Sequence, residues 1–201
     1  MKRRVGLGTL GVLAIVAIAG AAFWEWGGST AHAPSLSPAE LTGAAAVVNG
    51  RVITQAAVEQ AFEGERSSPD VTVSAVSKAQ ILDRMVDDEL KYEEGVRLHM
   101  TPTDAEVDAA IARSREGVEA HGGEGQRAIV EQAAARNGLT YEAYWSSPEL
   151  RDGWARILTI GNYSSSIFKP SDAYPDANKA VEAKVAALRS KAKVQILVDY
   201  K

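Results

Sequence analysis

The sequence predicts a mainly α domain with a small β element, preceded by one transmembrane helix. Three observations carry that prediction. A run of twenty uncharged residues, Val5 to Trp24, follows Lys2-Arg3-Arg4. Two capping boxes, Ser77 with Gln80 and Thr103 with Glu106, open amphipathic stretches. Two short β-branched runs, around Asn49-Gly50 and at Val194 to Val198, bracket those helices.

The 201 residues suffice for one ordinary domain plus appendages. A hydrophobic content of 46% fits a globular chain and excludes wholesale disorder. The net charge is −4; removing Lys2, Arg3 and Arg4 from the 22 basic residues leaves 19 against 26 acidic ones, a net of −7. Such an acidic body is a poor match for phosphate backbones, so nucleic acid is not an expected partner. The chain has no cysteine, which excludes disulfides, thiolate metal sites and cysteine nucleophiles.

Residues 1–4 read as a cytoplasmic basic end and 5–24 as a membrane anchor or signal segment. About 20 apolar residues match one helical crossing of a bilayer. The preceding positive charges keep the N-terminus inside, so the body is expected outside the cytoplasm. Trp24 and Trp26 stand where interfacial aromatics usually sit. Ala31-His32-Ala33 has the A-x-A form of an export cleavage site, and cutting there would release the body as a secreted protein. The long apolar run and Pro34 beside that site favour an uncleaved anchor. Residues 25–43, rich in small and turn-forming types, read as a flexible tether to a domain over 44–201.

Asn49-Gly50, between Ala45-Ala46-Val47-Val48 and Arg51-Val52-Ile53, predicts a hairpin with a type I′ turn. Thr54 is placed to cap a short helix with Val58, Ala61 and Phe62 on one face, ended by the stretch Gly64 to Asp70. A long helix is expected from Ser77 to about His99, its apolar side marked by Ile81, Leu82, Met85, Val86 and Leu90. Thr101-Pro102 breaks it, and the next helix runs through Val107, Ala110, Ile111 and Ser114. Gly122-Gly123-Glu124-Gly125 reads as a break before a helix from about Gln126 to Arg136, which Asn137-Gly138 ends. Thr140 caps Tyr141 to Trp145, and Ser147-Pro148-Glu149 opens a helix carrying Leu150, Trp154, Ile157, Leu158 and Tyr163. Ser164-Ser165-Ser166 reads as a helix irregularity or loop, and Lys169 to Pro175 as a turn or linker. A last helix is expected over Ala177 to Lys191, followed by a closing strand over Val194 to Val198.

Little in this sequence points to chemistry. His32, His99 and His121 show no metal-ligand spacing. Asp87-Asp88-Glu89, Glu93-Glu94 and Asp104 with Glu106 and Asp108 read as the solvated side of helices, whereas acid–base work needs a desolvated cleft. The glycine cluster at 122–125 lacks the strand before it and the Lys-Ser/Thr after it that a phosphate loop needs. No cofactor is expected. The aromatics Tyr141, Tyr144, Trp145, Trp154, Tyr163 and Phe168 concentrate in the last third of the helical region. They suit either a core or an apolar surface that holds a polypeptide. Tyr144, Trp145, Phe168, Trp154 and Met85 are the candidate polypeptide-binding residues.

Val47-Val48-Asn49-Gly50-Arg51-Val52-Ile53-Thr54 resembles the opening hairpin of SurA-, PrsA- and PpiD-type chaperones. The stretch Gln80 to Leu90 resembles their long helix, and Thr103-Asp104-Ala105-Glu106-Val107-Asp108 their next capped helix. Asn137 to Tyr144 resembles the turn before their last helices, and Ala187 to Ile196 their closing helix and strand. The likeness covers about 45–200. It implies the N-terminal domain of SurA-like chaperones, with unfolded or exported polypeptides as partners. The family often carries a parvulin-type isomerase domain before the closing segment; here Phe168 to Ala177 spans only ten residues. The expectation is a membrane-tethered, extracytoplasmic chaperone and not an enzyme. The alternatives are an assembly factor dedicated to one protein partner, and a degenerate prolyl isomerase.

Overall fold

A β-hairpin opens the body in the computed structural model, which describes residues 41–66, 76–169 and 173–200. The predicted anchor and nearly all of the predicted tether lie outside the described residues. Strands β1 (Ala44–Val48) and β2 (Arg51–Thr54) pair antiparallel across Asn49-Gly50. Both turn residues have positive φ, +50° and +92°, as a type I′ turn requires. The Asn49 amide does more than permit that turn. Its Oδ1 accepts from Lys193 N at 2.9 Å, and its Nδ2 donates to Glu93 Oε2. The hairpin tip is thereby tied to a helix and to the end of the chain.

Helix α1 (Gln55–Arg66) starts directly after β2, with Thr54 Oγ1 accepting from Ala57 N. It runs through Gly64, two residues beyond the expected stop. Helix α2 (Lys78–Arg97) has the full capping box: Gln80 N donates to Ser77 Oγ and Ser77 N to Gln80 Oε1. It closes in a Schellman motif, with Met100 N donating to Gly95 O, His99 N to Val96 O, and His99 at φ +57°. Helix α3 (Asp104–His121) has the second capping box, at Thr103 and Glu106.

The glycine cluster departs from expectation. Helix α4 (Gly123–Arg136) takes in Gly123, Glu124 and Gly125, leaving Gly122 as the whole break. The chain turns there because Gly123 takes φ +58°. A Cβ on Gly122 would lie 2.7 Å from Val118 O. Helix α5 (Tyr141–Trp145) is capped by Thr140, and α6 (Pro148–Ile167) by Ser147 with Pro148 at its first turn. Ser164 to Ser166 do not interrupt α6, and the Ser166 hydroxyl donates to Tyr163 O within the helix. Helix α7 (Tyr174–Arg189) begins three residues before Ala177, because Pro175 is tolerated in a first turn.

Strand β3 (Val194–Ile196) pairs antiparallel with β1, giving a sheet of order β2-β1-β3. It is shorter than expected. The β1 register shifts between Ala44 and Ala46, and the amides of Leu197 and Val198 both turn to Ala45 O. β1 is buried along its whole length, flanked on both sides.

Two apolar clusters result. The first joins the sheet, α1 and α2 through Val48, Ile53, Val58, Ile81, Met85 and Val86. The second joins α3 to α6 through Val107, Val118, Val130, Tyr144, Trp145 and Trp154. Helices α2 and α6 pack against each other at Gly95, where a Cβ would lie 2.8 Å from Thr159 Cγ2.

Candidate functional site

The short helix α5 is held between α3, α4 and α6 by its aromatics. Trp145 packs edge-on to both Tyr141 and Tyr144, with centroids 6.0 and 5.7 Å apart and planes at 77°. On the outer side of Trp145 lies a groove of about 520 Å³. Ile111 and Ala112 of α3, Trp145 of α5 and Ser146-Ser147 line it, with Asp108, Arg115, Glu142 and Arg151 at its rim.

The rim is tied by ion pairs across elements. Arg115 Nη2 donates to Glu142 Oε2 at 2.7 Å, and its Nε to Glu119 Oε1 at 2.7 Å. Arg151 of α6 pairs with Asp108 and, at 3.0 Å, with Asp104 Oδ1. Trp145 is only 5% exposed, and its indole Nε1 has no hydrogen-bond acceptor among the described residues. A buried donor left in that state costs about 1–3 kcal/mol.

The five candidate residues do not form one surface. Trp145 alone lines the groove. Tyr144 and Trp154 stand behind it in the second cluster, and burial pushes the Tyr144 hydroxyl up to about 12. Met85 packs in the first cluster, and half-buried Phe168 follows the last turn of α6.

One expectation is overturned. Glu89 is not on a solvated face: it is 0% exposed. Its carboxylate accepts from Arg156 Nη2 at 2.6 Å and from Arg51 Nη1 at 3.3 Å. The Arg156 guanidinium also lies 4.2 Å from the Tyr92 ring centroid. Burial lowers the Arg156 pKa, and the Glu89 carboxylate opposes that shift. The network spans β2, α2 and α6. A signal for Glu89 was present: it stands four residues after Met85, on the apolar stripe of α2. The rim residues left no comparable trace, since charges at helix surfaces are common.

Among the described residues no cluster of His, Asp or Glu could hold a metal ion, and no helix is long and apolar enough to cross a membrane.

A helical body whose first strand is enclosed by the hairpin partner and by the last strand defines the class: a mainly α module with a three-stranded closing sheet. The SurA-like N-terminal domain family matches residues 2–149, about three quarters of the chain, and the chain belongs to that family. That domain is of non-catalytic, chaperone type, and no parvulin domain is matched. No curated protein and no solved structure matches the chain. The matched stretch starts earlier than the likeness read from the sequence and stops at Glu149, where α6 begins.

Proposed function

We propose that this chain is a membrane-anchored, extracytoplasmic holdase that shields apolar segments of unfolded or exported polypeptides in the groove between α3, α5 and α6. The groove carries this reading: an apolar floor of Ile111, Ala112 and Trp145, long enough for a few side chains and bordered by charged residues. Family membership supports the chaperone role. The basic end followed by Val5 to Trp24 supports the anchor and the side of the membrane. In this reading Trp145 is the contact residue, and Tyr144 and Trp154 position it from behind. Phe168 and Met85 lie away from the groove and act through packing. Binding needs no cofactor, because covering apolar surface is itself favourable.

The test is suppression of aggregation of several unrelated unfolded proteins by the full chain in lipid nanodiscs. Suppression at equimolar amounts is expected. Ala112→Gln, which places a long neutral side chain on an exposed position of the floor, is expected to abolish it without changing the melting temperature. No suppression of any client would overturn the reading. One tight stoichiometric partner found instead would favour a dedicated assembly factor.

A further inference from the structure

We propose that the groove between α3, α5 and α6 selects polypeptide segments in which an apolar side chain is flanked by lysine or arginine. The inference rests on the polypeptide-binding reading above and adds the chemistry of the ligand. Four carboxylates, Asp104, Asp108, Glu119 and Glu142, engage two guanidiniums, Arg115 and Arg151, in an ion-pair network of net charge −2, of which Asp108, Glu142, Arg115 and Arg151 line the groove and Asp104 and Glu119 hold the arginines from beyond it.

Exposure sharpens the asymmetry. The carboxylate side chains are 43–94% exposed, whereas the two arginine side chains are 35–36% exposed. Each guanidinium is already engaged by two carboxylates, so the accessible charge at the rim is negative. A ligand cation beside the groove meets open carboxylate oxygens; a ligand carboxylate meets the same oxygens as repulsion.

The test measures binding of three labelled peptides to the full chain in nanodiscs of zwitterionic lipid, by fluorescence anisotropy. The peptides share one apolar centre and carry lysine, serine or glutamate on both flanks. The lysine-flanked peptide is expected to bind about tenfold more tightly than the glutamate-flanked one. That ratio is expected to shrink to about twofold in the Asp108→Asn/Glu142→Gln variant and in high salt. It is expected to persist in Glu63→Gln, which removes a carboxylate from α1, away from the groove. The two groove changes exchange exposed carboxylates for amides of the same shape, and a melting curve checks that the variant is folded. Equal binding of all three peptides would overturn the charge selection while leaving polypeptide binding in place. A ratio that survives in the groove variant would also overturn it. Failure to bind any peptide would overturn both.

Discussion

Glu93 shows how a single half-buried carboxyl ties stability to pH. Burial raises its carboxyl above the ordinary 4.5, and the hydrogen bond from Asn49 opposes the shift. The folded-state value therefore lies above the unfolded one. This contribution to stability is fully present below pH 4.5 and is lost as pH rises through the folded value. Glu93→Gln is expected to remove that decline, so urea denaturation across pH 4 to 7 should show the wild type losing stability relative to the variant as pH rises. His99 poses a different local problem. It holds the positive-φ position of a Schellman motif where glycine is usual. His99→Gly is expected to gain about 0.5–1 kcal/mol, the relief of αL strain less the entropy of a freer unfolded chain, measured by chemical denaturation. At this scale the sequence was readable wherever the partner is near. Ser77, Thr103, Thr140 and Ser147 cap amides three residues away, and all four caps are in place. The place of Glu89 on the apolar stripe of α2 signalled its burial, but its partner Arg156 is 67 positions distant. No local pattern records such a pair.

Helices pack closely where one of them gives up a side chain. At Gly95 of α2, a Cβ would press on Thr159 Cγ2 at 2.8 Å and on Thr159 O at 3.2 Å. Gly95→Ala is therefore expected to destabilise the fold by about 1–3 kcal/mol through overpacking. Thr159→Ser removes the methyl but not the carbonyl, so the double variant is expected to recover part of the loss. A double-mutant cycle by denaturation measures that coupling. Helix existence was legible from periodicity, and most boundaries follow the caps. The exceptions are instructive. Glycine content at 122–125 announced a break but not its length, because the turn is set by φ at Gly123 alone. Serines at 164–166 read as a helix irregularity or a loop, yet a hydroxyl can satisfy itself inside a helix.

The whole molecule depends on contacts between distant parts of the chain. Glu89, Arg51 and Arg156 join the hairpin, α2 and α6; the Glu89 carboxylate and the Arg156 guanidinium have almost no access to water, and Arg51 is partly exposed. Glu89→Gln leaves the Arg156 guanidinium buried without that carboxylate and is expected to cost about 3–5 kcal/mol. Glu131→Gln, which breaks the exposed pair with Arg127 on α4, is expected to cost under about 1 kcal/mol. Urea melts of the two variants make the comparison. The aromatic-rich region was visible in the sequence; which aromatic borders a groove was not. Tyr144 and Trp145 are adjacent in sequence, and only the packing of α5 turns one inward and the other to the wall.

The enclosed strand has a consequence for how the protein is made. Ala46 pairs with Ile196, 150 positions later. At synthesis rates of about 5–20 residues per second, β1 waits roughly 8–30 s for its second neighbour. Throughout that interval the nascent chain carries an apolar strand with one edge open, the kind of surface that recruits foreign strands. While it emerges, this chain presents the kind of unfinished apolar edge that chaperones cover.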